Sequence, residues 1–191
     1  MTLPFGFADW SATSQTRRVI RLATLATAAA LMLSACAPST SVDPSAVPPK
    51  PKDFCNAMAA AAKLAPPAAD ALNALFTTID DMAGGSKEGD IANLQAVGDT
   101  TTTTSEAYAA ALGTAASMAP ETLAADVTSL QGYWALYAVG LGQIAQEAPN
   151  YGNLVDQTSA LSSSEQAAAL IQEQPAAQKR INAGYLAECA G

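Results

Sequence analysis

Histidine does not occur in the 191 residues of this chain, and only 6% of the residues are aromatic. Without imidazole the chain lacks the commonest general base, the usual partner of a nucleophilic Ser or Cys, and the commonest metal ligand. We therefore expect no catalytic residues, no metal site and no cofactor. The composition favours a non-enzymatic protein.

Basic residues are also scarce, with nine Lys and Arg against seventeen Asp and Glu and a formal net charge of -8. Three of the basic residues, Arg17, Arg18 and Arg21, and one acidic residue, Asp9, precede Cys36. The chain from Cys36 onward therefore keeps six basic and sixteen acidic residues. Because such a surface repels phosphate backbones, we expect no nucleic acid among the partners.

Residues 1–35 have the three regions of a signal peptide. The arginines precede an apolar stretch at residues 22–33, and the small residues Ser34 and Ala35 follow it. About a dozen apolar residues are too few to cross a bilayer as a permanent helix. We predict that residues 1–35 are removed during export.

The sequence Leu33-Ser34-Ala35-Cys36 resembles the lipobox of bacterial lipoproteins, in which Leu and two small residues precede Cys. The resemblance covers the first 36 residues. It implies that Cys36 receives a diacylglyceryl group through its sulfur, with acyl chains of the palmitate type, and that cleavage occurs just before it. Two acyl chains give stable anchoring, so we expect a lipid-anchored protein on the extracytoplasmic face of the cell membrane.

The export route has two interpretations. Residues 16–21, which contain the adjacent Arg17 and Arg18, also look like a twin-arginine motif. Adjacent arginines are equally compatible with the general secretory route, so both routes remain open.

Residues 36–52 are predicted to form a lipidated linker, because prolines at positions 38, 44, 48, 49 and 51 disfavour a helix. In the extended polyproline form, at about 3.1 Å per residue, this segment would reach roughly 50 Å. We interpret it as a spacer, with a proline-rich ligand for a partner domain as the alternative.

Residues 53–191 are predicted to form an all-α domain, because apolar residues recur at helical spacing and no stretch alternates with a period of two. We expect an antiparallel bundle of about four helices, some of them broken by proline. The first predicted helix starts at Asp53 and ends or bends sharply at Pro66 and Pro67, and the second continues to Gly84. The next two run from Asp90 to Met118 and from Pro120 to Ala148. The last starts at the Ser162–Ser164 run and is bent or interrupted at Pro175. Residues 154–163 are expected to form a loop or a short turn.

The five consecutive threonines at residues 100–104 are the weakest part of the third predicted helix. Gly98 and Asp99 could end one helix and cap another, since Thr is a poor helix former. The apolar stripe stays in phase across the run, so we predict one long helix. If exposed, the threonines could instead be an O-glycosylation tract.

Cys55 and Cys189, the cysteines left after Cys36, are predicted to form a disulfide. An oxidising compartment favours the bond, and their spacing is not that of a metal or redox motif. The bond would join the first and last helices; the alternative is two buried free thiols.

Three aromatic residues, Tyr108, Trp134 and Tyr137, together with Tyr133, could line a ligand pocket between two helices. Because Trp134 and Tyr137 fall on the apolar seam of their helix, we favour the interpretation that they are core residues whose polar tips reach the surface.

Two other groups have ordinary explanations. Asp80, Asp81, Glu88 and Asp90 surround a Gly-rich turn, but their spacing does not match a calcium-binding loop, so we interpret them as solvated. The serines at 162, 163 and 164 are expected to cap a helix, with Ser162 and Glu165 as a capping box, rather than to act as nucleophiles.

Taken together, these features predict a membrane-anchored cell-envelope lipoprotein whose helical domain is a binding or scaffolding module for an envelope protein. The alternative is a carrier that holds a lipid or small apolar ligand in a cavity between its helices.

Overall fold

The computed structural model describes residues 51–84 and 89–189, and these residues form helices and no strand. The predicted all-α class is confirmed. The predicted signal peptide, Cys36, Glu88 and all of the linker except residues 51 and 52 lie outside the described residues.

Five helices follow one another in the described ranges. The first two are α1 (Pro51–Ala83) and α2 (Gly89–Met118). The third consists of α3 (Glu121–Gly132), a π-helical segment (Tyr133–Ala138) and α4 (Val139–Glu147), which continue into one another. The last two are α5 (Tyr151–Ser163) and α6 (Glu165–Cys189).

The prolines inside the helices do not end them. A helix end at Pro66 and Pro67, one of the two predicted outcomes, is wrong, because α1 continues through both as one helix of 33 residues. Pro175 likewise lies inside α6. All three prolines are exposed, while Ala65 and Ala68 beside the first pair are buried. Tertiary packing of the opposite face therefore outweighs the backbone hydrogen bonds that the prolines remove.

The helix starts also differ from the predictions. Asp53 lies inside the first turn of α1, where a carboxylate favours the positive end of the helix, and it does not cap the helix. Pro120, expected to begin the third helix, is its N-cap.

The loop predicted at residues 154–163 is wrong, since these residues belong to α5. Asn150 caps this helix: its side-chain oxygen accepts a hydrogen bond of 2.9 Å from the Asn153 amide. Leu154 is buried and Leu161 is half-buried, which places one apolar face of α5 against the rest of the domain. Ser164 rather than Ser162 caps α6, because its Oγ accepts from the Ala167 amide at 3.3 Å.

The threonine run is helical, as predicted, and it belongs to the uninterrupted α2. Thr101 is fully buried within it. Its hydroxyl is 2.8 Å from the Val97 carbonyl of its own helix and 3.1 Å from the Ala71 carbonyl of α1. The buried hydroxyl therefore has acceptors in both helices, which is how a poor helix former is accommodated in the core.

The core is made largely of small side chains. Of the 27 buried apolar residues in the described ranges, eleven are alanines. An alanine buries little area, so the helices must approach one another closely to exclude water. The closest approach of one helix backbone to another that the glycines mark is between α2 and α4.

Gly98 of α2 and Gly142 of α4 lie at this contact. A Cβ at Gly98 would be 2.7 Å from both the Gln146 nitrogen and the Gly142 oxygen. On one side of this contact, Gln95 donates to the Ala148 carbonyl at 3.3 Å. On the other side, Tyr108 lies against Trp134. Residue numbers fall in one helix as they rise in the other, so α2 runs antiparallel to α3 and α4.

The glycine contact predicts a strong effect of a single methyl group. Replacing Gly98 or Gly142 with Ala puts Cβ against backbone atoms of the opposite helix, which must separate. We expect each variant to lose about 3 kcal/mol of unfolding free energy, measured by urea denaturation.

Gly113→Ala is the matched control on α2. The nearest atoms to a Cβ there are 4.0 Å away, on the Gln131 side chain. The better helix propensity of Ala should leave this variant unchanged or more stable by up to about 1 kcal/mol. Equal stability of the Gly98 and Gly113 variants would contradict the close contact.

Candidate functional site

Four aromatic rings form a chain between α2 and the π-helical segment. The Tyr108 and Trp134 rings are 5.0 Å apart edge to face, Tyr133 and Trp134 are 5.6 Å apart, and Tyr133 and Tyr137 are 5.5 Å apart. The structure thus brings the predicted Tyr108 and Trp134 into contact and connects Tyr137 to them through Tyr133. We call these four residues the aromatic cluster.

Two consecutive aromatic residues of the π-helical segment, Tyr133 and Trp134, are both buried. The Val139 amide donates to the Trp134 carbonyl, five residues back, so the segment has a wider turn than an α-helix. Tyr133 and Trp134 are 7% and 5% exposed, although neighbours on an ideal α-helix point about 100° apart. Ala135, the next residue, is exposed.

The buried phenols are held in the neutral form. Burial raises the pKa of Tyr108 well above its usual range. Burial, with a smaller repulsion from Tyr137, raises the pKa of Tyr133 in the same direction. A phenol with a raised pKa is a poor general base at neutral pH, so neither residue is suited to proton abstraction.

The aromatic cluster is part of the buried core. Tyr108 is only 3% exposed, and the edge of one ring covers the face of the next. Such edge-to-face pairs are favourable beyond the area that they bury. Tyr137, which is half-buried, is the member nearest to the surface.

Cys55 and Cys189 form a disulfide with their Cα atoms 5.6 Å apart. Both are half-buried at the edge of the core. The bond connects the first turns of α1 to the last turn of α6, so it closes a loop across 134 positions of sequence.

An ion pair that the sequence did not reveal connects α6 to α3. The Arg180 guanidinium donates from Nε and Nη2 to the Asp126 carboxylate at 2.8–3.0 Å, and it also contacts Glu173. Half of the Arg180 side chain is exposed, so water screens the pair and its contribution to stability is small. Only Glu173 could have been matched with Arg180 from helical spacing, because Asp126 is 54 residues away in sequence.

The remaining predicted groups do not form a site in the described ranges. Asp80, Asp81 and Asp90 are described, and no set of three or more Cys, Asp or Glu residues there is arranged to hold a metal ion. The Ser162 hydroxyl donates to the Thr158 carbonyl, and that of Ser164 donates to Leu161. In residues 51–84 and 89–189, no helix is both long and apolar enough to span a membrane.

No protein-family model, curated protein or solved structure matches this chain. The functional argument therefore depends on the residues of the chain itself.

The disulfide predicts a large loss of stability when it is removed. In the chain-entropy account, opening a loop of this length lowers the unfolding free energy by about 5 kcal/mol. The comparison is urea denaturation of the wild type and of the Cys55→Ser, Cys189→Ser double variant. Reductant should destabilise the wild type and leave the variant unchanged; a wild type that is insensitive to reductant would contradict the bond.

Burial of Trp134 predicts a protected fluorophore. The chain has two tryptophans, Trp10 and Trp134. The tryptophan fluorescence of a protein that begins at Cys36 therefore comes from Trp134 alone. We expect blue-shifted emission with weak quenching by acrylamide, and a red shift on unfolding. A Trp134→Phe, Ala135→Trp variant moves the indole to an exposed neighbour and should be strongly quenched. Equal quenching of the two would show that Trp134 lies in an open pocket.

Proposed function

We propose that this protein is a lipid-anchored lipoprotein of the cell envelope, and that its helical domain binds or scaffolds another envelope protein without catalysis. The observation that carries the proposal is Leu33-Ser34-Ala35-Cys36 at the end of a sequence with the regions of a signal peptide. In this proposal Cys36 becomes the first residue of the mature protein and carries the diacylglyceryl group. Residues 36–52 then act as the spacer between the membrane and the domain.

The domain itself is proposed to be an antiparallel bundle of about four helices. In this arrangement the first member is α1, the second is α2, and the third is the continuous helix from α3 through α4. The fourth member consists of α5 together with α6. Two observations support it. Along α2, Gln95 contacts Ala148 and the later Tyr108 contacts the earlier Trp134, so the two chain directions are opposite. Likewise Asp126 of α3 contacts Arg180 of α6, while Gly132, further along α3, lies against the earlier Leu170.

A binding role is favoured over an enzymatic one by the chemistry of the side chains. The chain has no imidazole, and the Tyr108 and Tyr133 phenols have raised pKa values and pack against other rings. The hydroxyls of Ser162 and Ser164 are used in helix hydrogen bonds. These groups stabilise the fold and do not present a reactive atom to a substrate.

The same packing favours a binding or scaffolding module over a carrier. A carrier needs a cavity lined by apolar side chains that are free to contact its ligand. The residues that the sequence marked for such a lining, Tyr108 and Trp134, are buried against each other at 5.0 Å. The excess of acidic over basic residues supports a partner other than nucleic acid.

The anchor is tested by Cys36→Ala in the full-length protein. Without the thiol there is no site for the diacylglyceryl group, so the variant should incorporate no labelled fatty acid and should leave the membrane fraction or keep residues 1–35. Ser39→Ala, three residues beyond the cysteine, is the control and should behave as the wild type. Fatty-acid labelling that survives Cys36→Ala would overturn the proposal.

Native mass spectrometry separates binding from carriage. The wild-type protein, released from the membrane in mild detergent, is expected to retain a protein partner after cross-linking and to show no added apolar ligand on the domain. If the folded protein instead retains one equivalent of a non-covalent lipid through purification and releases it on unfolding, the carrier is favoured.

A further inference from the structure

The last helix, α6, contributes little to the core. Its buried residues are Ala167, Ala177 and Ile181, so Ile181 is its one large side chain that is fully buried. By contrast, α1 buries four alanines and four large side chains, those of Phe54, Met58, Leu72 and Leu75. Because hydrophobic stabilisation scales with the apolar area removed from water, packing holds α6 less firmly than α1.

Pro175 divides α6 into two parts. Proline has no amide hydrogen, so the helical hydrogen bond from residue 175 to the Ile171 carbonyl is absent. The part of the helix after Pro175 therefore separates from the part before it with the loss of fewer backbone hydrogen bonds than at other positions. We call residues 176–189 the C-terminal segment.

The C-terminal segment contacts α3 through side chains near its middle. Arg180 pairs with Asp126, but half of the Arg180 side chain is exposed, and water screens the pair. Leu123 of α3 lies against Gly184, where a Cβ would be 2.5 Å from the leucine side chain. A helix end with few buried apolar contacts belongs to the part of a structure that opens most readily.

The Cys55–Cys189 disulfide attaches this segment covalently to α1. With the bond present, a segment that leaves α3 remains fixed at both ends, at Pro175 and at Cys189. Without the bond its C-terminal end is free, so the detached segment gains conformational entropy. For a loop of about 15 residues, the loop-closure account makes this difference on the order of 100-fold in the opening equilibrium constant.

We propose that the C-terminal segment is a redox-sensitive strap. The Cys55–Cys189 bond holds it on α3, and reduction of that bond releases it while the helices from α1 to α4 stay folded. Release uncovers the side chain of Leu123, which is buried while the segment is in place. The inference does not depend on the proposed function.

The reductant in this proposal is a dithiol. One of its thiolates attacks a sulfur of the Cys55–Cys189 bond, and its second thiol displaces the protein from the mixed disulfide. Two electrons and two protons pass to the protein, which yields the Cys55 and Cys189 thiols and the cyclic disulfide of the reductant. Both cysteines are half-buried, so neither is fully enclosed by the core.

Trypsin tests the release, because Lys179 and Arg180 in the C-terminal segment are exposed, and a protease cleaves a helix only after it opens. The comparison is between the mature wild-type protein in mild detergent and its Cys55→Ser, Cys189→Ser variant, both without reductant. Fragments are identified by mass spectrometry after the trypsin has been stopped. Cleavage after Arg180 should be on the order of 100-fold faster in the variant.

Lys63 is the control within the same chain, because it is exposed on α1 between turns that bury Ala61 and Ala65. Each rate is expressed relative to cleavage of the same bond in a short synthetic peptide. In the variant, cleavage after Lys63 should be at least about tenfold slower than after Arg180, because it requires the core to open. Trp134 emission should stay blue-shifted after the residues beyond 180 are lost.

Reduction itself is tested on the folded wild type. After treatment with a dithiol and then an alkylating reagent, both Cys55 and Cys189 should be labelled while Trp134 emission stays blue-shifted. Equal relative rates at Lys63 and Arg180 in the variant, or no acceleration at Arg180, would overturn the proposal. So would red-shifted Trp134 emission of the intact variant, or a bond that the dithiol reduces only when the whole domain unfolds.

Discussion

The close contact of α2 with α4 is the constraint on which the rest of the domain depends. Gly98 and Gly142 leave no room for a Cβ, so the two helix backbones meet directly. Since this contact sets the register of the antiparallel pair, it also decides that Tyr108 meets Trp134. Helix propensity alone disfavours both glycines, and their presence is explained by packing.

A core rich in alanine needs this kind of contact. Short side chains bury little area each, so stabilisation comes from close helix approach and from a few larger side chains such as Phe54 and Trp134. The Cys55–Cys189 disulfide adds a restraint that does not depend on packing, because it limits the unfolded chain. The domain thus combines a thin core with a covalent link between its first and last helices.

The aromatic cluster shows how a candidate site and a core can share one sequence pattern. Tyr108, Trp134 and Tyr137 have the spacing expected both of a pocket lining and of a helix seam. In the structure the Tyr133 and Trp134 rings are both buried and lie edge to face, so the cluster is part of the core.

The sequence by itself determined the all-α class, the continuity of α2 through the threonine run and the cysteine pair, because each depends on local composition or on which residue types are present. It failed at Pro66 and Pro67, where burial of the opposite helix face outweighs a local break, and at α5, a helix that begins after the Asn150 cap. Only the tertiary structure decided the Arg180–Asp126 pair and the close contact of Gly98 with Gly142. These depend on register between helices distant in sequence, and no local pattern encodes that register.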